Sequence, residues 1–180
     1  MYVEPTVKAI PTRGAITRFE LPICLACNHI RSASIRQGLG VVSRLGNGWF
    51  WVATGIFLVA MEKSAALPAI RHLAFAALAS YLLASSLKRW TARPRPFVDE
   101  DGFHLTVDPL DEFSFPSGHT LHAVAFTLVF YVYYPAFLWL VLPFTLLVAV
   151  SRVILGLHYP SDVLAGATIG AGVAMLVLQV

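Results

Sequence analysis

Three short segments of the sequence combine cationic and imidazole side chains at spacings that could do chemistry. They contain Lys88 and Arg95, then Ser117, Gly118 and His119, then Arg152, His158 and Asp162. Lysine and arginine are the usual partners of phosphate oxygens, and arginine binds them through paired hydrogen bonds. Because two histidines accompany these cations, the segments predict transfer of a phosphoryl group as well as its binding.

His158 is predicted to be the nucleophile. Pro160 fits the first position of a helix, which puts Asp162 about one turn along, where its carboxylate could hold one imidazole nitrogen. The other nitrogen would then be free to attack phosphorus. His119 would protonate the leaving oxygen and then activate a water molecule. The predicted reaction therefore passes through a phosphohistidine.

The oxygens of the transferred group are predicted to be held without a metal. Lys88, Arg95 and Arg152 supply fixed positive charge and have no matching carboxylates in their own segments. Ser117 is a favoured helix N-cap, so the amide groups near Ser117 and Gly118 would point toward an anion. The acidic run at residues 99–101 is interpreted as a solvated loop. We therefore expect no metal and no other cofactor.

The composition places these segments in a membrane protein. Of 180 residues, 57% are hydrophobic and only 13% are charged, about half the charged share of an average soluble domain. This composition excludes a disordered chain, a coiled coil and a typical soluble enzyme. The net charge of +3 could suggest nucleic acid, but the apolar excess indicates the lipid bilayer as the partner and no nucleic acid.

Five apolar stretches are predicted to cross the membrane as helices, at residues 41–61, 67–87, 118–134, 136–153 and 161–180. Residues 120–151 contain no charged side chain but are too long for one span, so a break is predicted at Tyr133-Tyr134-Pro135. Gly166 and Gly170 predict close helix packing within the monomer. Residues 20–45 mix arginine with aliphatic side chains, which is typical of an interfacial helix.

The predicted fold class is therefore all-α, an integral membrane helical bundle with an interfacial helix before it. Residues 1–40 form a polar N-terminal segment, and residues 41–180 form the membrane domain. Alternating five spans across the bilayer puts all three segments on one face. Charged groups at such depths are costly and are usually functional. A lipid headgroup at that face could reach them while its tails stay in the bilayer.

The three segments resemble the signature of the type-2 phosphatidic acid phosphatase family. The matching patterns are Lys88-x6-Arg95-Pro96, Pro116-Ser117-Gly118-His119 and Ser151-Arg152-x5-His158-x3-Asp162. The resemblance covers about residues 40–180 and implies a helical bundle, metal-independent hydrolysis and the residue roles given above. Integral members commonly have six spans, and the usual first span has no counterpart here.

The predicted function is hydrolysis of a membrane lipid phosphate or diphosphate, such as undecaprenyl diphosphate, phosphatidylglycerophosphate or phosphatidic acid. The alternatives are a lipid phosphotransferase that uses the same site, a non-catalytic anion-binding membrane protein, and a vanadium haloperoxidase, which the apolar composition disfavours. The motifs specify phosphate and leave open the rest of the lipid, the oligomeric state and the role of Cys24 and Cys27.

The side of the membrane that carries the site is predicted from two opposing arguments. Of the 13 lysines and arginines, only Lys63 and Arg71 lie on the opposite face. A positive-inside count alone would place the site in the cytoplasm. Several of the other cations are there for phosphate, however, and the bacterial lipid phosphatases of the resembled family usually face the periplasm. We therefore expect a bacterial inner-membrane protein with a periplasmic site.

Overall fold

The computed structural model describes residues 14–30 and 32–180, so the first 13 residues of the predicted N-terminal segment lie outside the described residues. The helices in these ranges are α1 (Ala15–Asn28), α2 (Ala33–Leu45), α3 (Trp49–Glu62), α4 (Leu67–Thr91), α5 (Pro96–Asp99), α6 (Gly118–Tyr133), α7 (Leu138–Ile154) and α8 (Pro160–Val177). Short 3-10 turns at Lys63–Ala66 and Pro135–Phe137 precede α4 and α7. The described residues contain no strand.

Two helices, α1 and α2, occupy the region predicted to hold one interfacial helix. The Ser32 hydroxyl accepts a hydrogen bond from the Ile35 amide at 3.4 Å and caps the start of α2. A turn at residues 46–48 ends α2, and Gly48 has a φ of 128°, which favours glycine. The predicted start of the first apolar helix at residue 41 is therefore wrong, because residues 41–45 belong to α2.

The chain is an integral membrane protein with a helical bundle. Within the described ranges, three helical stretches are long and apolar enough to cross a membrane, Trp49–Asp99, Pro135–Ile154 and Pro160–Val177. The first includes both α3 and α4, which meet at the 3-10 turn where Lys63 has a positive φ of 52°. The all-α membrane fold is confirmed, whereas the count of five spans stays a prediction.

The predicted break between the two apolar helices at residues 133–135 is confirmed. Helix α6 ends at Tyr133, and Tyr134 leaves helical geometry with a φ of −140°. Pro135 begins the 3-10 turn. Because proline has no backbone N–H to donate, it does not continue the hydrogen bonding of α6. The chain therefore forms two separate helices, α6 and α7, in place of a single helix that would be longer than a bilayer is thick.

Helix α6 is the centre of the bundle and packs against α4, α7 and α8. Its close approach to α8 depends on two glycines. A Cβ atom on Gly166 would lie 2.6 Å from the Ser117 carbonyl oxygen, and one on Gly170 would collide with the Leu121 carbonyl. The predicted packing of these glycines inside the monomer is confirmed, and it places the start of α6 beside the first half of α8.

Candidate active site

The three segments meet at one end of the bundle. Arg95, which is 1% exposed, lies with its Nη1 atom 3.3 Å from Nε2 of His158. The same Nη1 donates a hydrogen bond to the Leu157 carbonyl at 2.7 Å. The Ser117 amide donates to the Asp162 carbonyl at 3.0 Å, which joins the second segment to the third. Residues far apart in the sequence are therefore in contact around one imidazole.

The His158 imidazole has one nitrogen bonded and one nitrogen facing the cations. Its Nδ1 lies 2.6 Å from the Ser114 carbonyl oxygen, which can only accept, so Nδ1 carries the proton and Nε2 has the free lone pair. Burial first, and then the charges of Arg152 and Arg95, hold the pKa of His158 well below its usual range. The lowered pKa favours the neutral ring, which is the form that acts as a nucleophile.

Asp162 is close to His158 but does not make the predicted hydrogen bond. Its Oδ2 is 3.7 Å from Nδ1 of the imidazole. The same oxygen accepts from the Tyr159 amide at 2.9 Å as part of a capping box at the start of α8, and Oδ1 accepts from Arg93 at 2.6 Å. The Ser114 carbonyl therefore orients the ring, and Asp162 acts on it only as a nearby charge.

Asp111 is a part of the site that was not predicted from the sequence. Its two carboxylate oxygens accept from Lys88 Nζ at 2.5 Å and from Arg95 Nη2 at 2.8 Å. Burial would raise the pKa of Asp111, but the hydrogen bonds and charges of Lys88 and Arg95 outweigh it and lower this pKa. The carboxylate comes from the loop before α6, and no spacing rule links it to either cation.

Arg152 brings a buried, partly unsatisfied guanidinium to the site. The residue is 2% exposed, and its Nη1 donates to the Ser43 hydroxyl of α2. Its Nε has no hydrogen-bond partner among the residues that the structure describes. A buried N–H without a partner costs free energy. Within the described part of the chain, Nε of Arg152 is therefore a buried donor that still lacks an acceptor.

The start of α6 contributes the remaining predicted residues. Ser117 is the N-cap, as predicted, and its hydroxyl pairs with the Thr120 hydroxyl at 3.0 Å. Gly118 is the first residue of the helix, and His119 follows it with Nε2 bonded to the side-chain oxygen of Asn47. Asn47 lies in the turn between α2 and α3, and its role was not predicted. The predicted general acid thus has a fixed hydrogen-bond partner.

A cavity of about 980 Å³ runs from the site along the apolar helices. Lys88, Asp111 and His119 line its polar end. Apolar side chains of α3, α4 and α6 line the rest, among them Trp51, Ile70, Leu73, Tyr81, Phe126 and Phe130. The cavity therefore joins a group of charged and polar side chains to a long hydrophobic surface.

The acidic run at residues 99–101 is not wholly solvated, and that prediction is wrong at Asp99. Asp99 is 5% exposed, and its Oδ2 accepts from the Tyr159 hydroxyl at 2.5 Å. No local pattern indicates this partner, because Tyr159 lies 60 positions away. Across residues 14–30 and 32–180, no group of three or more His, Cys, Asp or Glu side chains is placed to hold a metal ion.

Residues 69–180 match the PAP2 superfamily. The chain is 24% identical to an undecaprenyl-diphosphatase of Sulfolobus acidocaldarius over 90% of this chain and 78% of that protein. It is 35% identical to a lipid A 1-phosphatase of Rhizobium johnstonii over 58% of this chain and 45% of the relative. It is 36% identical to a decaprenylphosphoryl-5-phosphoribose phosphatase of Mycobacterium tuberculosis over 56% and 55%. The matches to the last two thus span about half of each relative.

Two solved structures share the fold. The crystal structure of Aquifex aeolicus LpxE superposes with a TM-score of 0.77 at 25% identity and covers 90% of this chain and 96% of that one. A transmembrane PAP2-type phosphatidylglycerolphosphate phosphatase from Bacillus subtilis gives a TM-score of 0.72 at 24% identity, with 93% and 87% covered. Both similarities extend well beyond residues 69–180 and include much of the N-terminal half.

Proposed function

The chain belongs to the PAP2 superfamily, and we propose that it is a metal-independent membrane phosphatase that hydrolyses a lipid phosphate or diphosphate. The observation that carries this proposal is the position of the buried His158 imidazole, whose Nε2 lies 3.3 Å from Nη1 of Arg95. A nucleophile beside fixed cations is the arrangement that phosphoryl transfer requires. The names of the relatives, which include phosphatases of lipid A and of undecaprenyl diphosphate, support the same class of substrate.

The proposed reaction has two steps. In the first, Nε2 of His158 attacks phosphorus, the bond from phosphorus to the leaving oxygen breaks, and His119 gives that oxygen a proton. In the second, water attacks phosphorus, the bond from phosphorus to Nε2 of His158 breaks, and His119 takes a proton from the water. Inorganic phosphate then leaves, with His158 neutral and His119 protonated again. Lys88, Arg95 and Arg152, with the amides near Ser117 and Gly118, stabilise the oxygens of the transferred group in both steps.

A lipid substrate is supported by the shape of the cavity. A phosphate at the polar end, near Lys88 and His119, would leave its hydrocarbon tail against the apolar faces of α3, α4 and α6. Burial of such a tail contributes roughly 25 cal/mol per Å² of apolar surface removed from water. Undecaprenyl diphosphate, phosphatidylglycerophosphate and phosphatidic acid all have this form, with a charged head and a long apolar chain.

Labelled water tests this function and separates hydrolysis from transfer to a second lipid. The purified protein is incubated in ¹⁸O-water with each of the three lipids and with EDTA. We expect the released phosphate to contain an oxygen atom from solvent and its rate to be unaffected by the chelator. Phosphate that appears only on another lipid would indicate a phosphotransferase, and loss of activity in EDTA would contradict the metal-free reaction.

The site is proposed to face the periplasm of a bacterial inner membrane. The exposed side chain of His104, in the loop at the active end, allows a test by His104→Cys in a background without Cys24 and Cys27. A membrane-impermeant thiol reagent should label this cysteine in intact spheroplasts. Labelling only after lysis would place the site in the cytoplasm. Removing the native thiols avoids background labelling. Cys24 itself should react slowly, because it is buried and burial raises the pKa of its thiol to about 12.

A further inference from the structure

Glu20 is a buried carboxylate of α1 that contacts the start of α8. The residue is 6% exposed. Its Oε1 accepts from the Ser161 amide at 2.6 Å, and its Oε2 accepts from the Ser161 hydroxyl at 2.7 Å. A carboxylate bonded to an amide in the first turn of a helix is also favoured by the helix dipole. Glu20 therefore fixes the N-terminus of α8 from outside the family-matched region.

Arg93 connects Glu20 to the catalytic segment. Its Nη2 donates to Oε2 of Glu20 at 2.9 Å, and its Nη1 donates to Oδ1 of Asp162 at 2.6 Å and to the Ser161 hydroxyl at 2.8 Å. The guanidinium also lies over the Tyr159 ring, with Cζ 4.1 Å from its centroid. One arginine thus binds two carboxylates and covers the residue that follows His158.

Buried charges of this kind are stable only when each has its hydrogen bonds. Removing one partner from such a group leaves the others desolvated and unpaired, and is strongly destabilising. Asp162 is fully buried, and its oxygens are shared between Arg93 and the Tyr159 amide. Without Glu20, the Ser161 amide and hydroxyl and Nη2 of Arg93 would all lose an acceptor. The turn at residues 158–162 would then be held by fewer contacts.

We propose that Glu20 and Arg93 are positioning residues for the reaction, because they hold the first turn of α8 and so set the place of His158 against Arg95. This inference rests on the proposed function. Neither residue is assigned to touch the substrate. Both act through Ser161 and Asp162, which keep the turn that carries His158 in place. The position of this turn matters because displacing a reacting group by about 1 Å can lower the reaction rate about 100-fold.

The test uses Glu20→Gln, Arg93→Gln and the double variant, purified in detergent and assayed on whichever of the three lipids above is hydrolysed fastest. We expect kcat to fall about 10- to 100-fold in each single variant with KM within about threefold, since the substrate contacts are untouched. Because Glu20 and Arg93 act through the same contacts with Ser161 and Asp162, kcat of the double variant should fall no further than kcat of Arg93→Gln alone. Hydrogen exchange at residues 157–163 should become faster in all three.

Matched controls are Glu62→Gln and Arg71→Gln, which change the same residue types at exposed positions at the other end of the bundle. Their kcat should stay within about twofold of wild type. An unchanged kcat in Glu20→Gln, or losses that multiply in the double variant, would overturn the proposal. If Glu20→Gln does not fold, Arg93→Lys replaces it in the test. Lysine keeps the positive charge but lacks the planar guanidinium that binds Glu20 and Asp162 together, so the same fall in kcat is expected.

Hydrogen exchange also separates the positioning role from the proposed function. If the wild-type protein releases no phosphate from any of the lipids, the proposed function fails. Glu20 and Arg93 then have no catalytic reaction to support. Exchange at residues 157–163 still decides whether Glu20 and Arg93 hold the turn. Equal exchange in wild type and Glu20→Gln would show that they do not.

Discussion

Replacing His158 with alanine is expected to abolish phosphate release, with a fall in kcat of about three orders of magnitude or more. The reason is that the imidazole Nε2 is the group proposed to form a bond with phosphorus. The cations remain, so the variant should still bind phosphate. Acid-stable and acid-labile phosphoenzyme can be separated after rapid quenching with ³²P-labelled substrate. The acid-labile phosphohistidine should be found in the wild type and not in the variant.

A histidine outside the site provides the control for this substitution. His104→Ala removes an exposed imidazole on the loop at the same end of the bundle and should leave kcat unchanged. Phosphate release by His158→Ala within about tenfold of wild type would contradict covalent catalysis, because loss of a true nucleophile has a far larger effect. Equal phosphate binding in both variants would show that the fold of the site has survived.

Replacing Arg152 with lysine is expected to lower kcat/KM by about 100- to 1,000-fold, the usual effect of losing one donor to a developing charge. Lysine keeps the positive charge but has no counterpart of Nε, the buried donor that lacks a partner in the described part of the chain. It also cannot hold the Ser43 hydroxyl and a phosphate oxygen with one rigid fork. Steady-state kinetics and competition by inorganic phosphate measure the two effects.

Arg44→Lys is the matched control, since Arg44 lies exposed on α2 near the same end of the bundle. Its kcat/KM and its inhibition by phosphate should equal those of wild type. If Arg152→Lys were as active as Arg44→Lys, the buried guanidinium would serve the fold and not the substrate. A normal kcat/KM together with a lower unfolding temperature would lead to the same conclusion.

The parts of the site that local patterns encode could be predicted from the sequence. Ser117 is recognisable as an N-cap, and Pro160 as the first residue of a helix, because both preferences depend on neighbouring residues alone. The break at Tyr134 follows from a proline and the thickness of a bilayer. The approach of Arg95 to His158 was predictable because alternating spans constrain which helix ends share a face.

The contacts that complete the site have no such local signal. Ser114 orients His158 through a carbonyl oxygen, a group that every residue has, so its identity carries no information. Asn47 and Ser43 lie before the family-matched region and reach His119 and Arg152 only because α2 folds back over the active end. The start of α3 was placed too early for a related reason, since apolar residues on an amphipathic helix resemble the beginning of a span.

The position of Asp111 determines how an anion can enter and leave. Its carboxylate already serves as the counter-ion of Lys88 and Arg95, and its side chain is 43% exposed on a loop. We therefore expect an arriving phosphate group to displace this carboxylate, so that Lys88 and Arg95 have an anionic partner before and after it binds. We expect the carboxylate to return to the two cations as inorganic phosphate leaves.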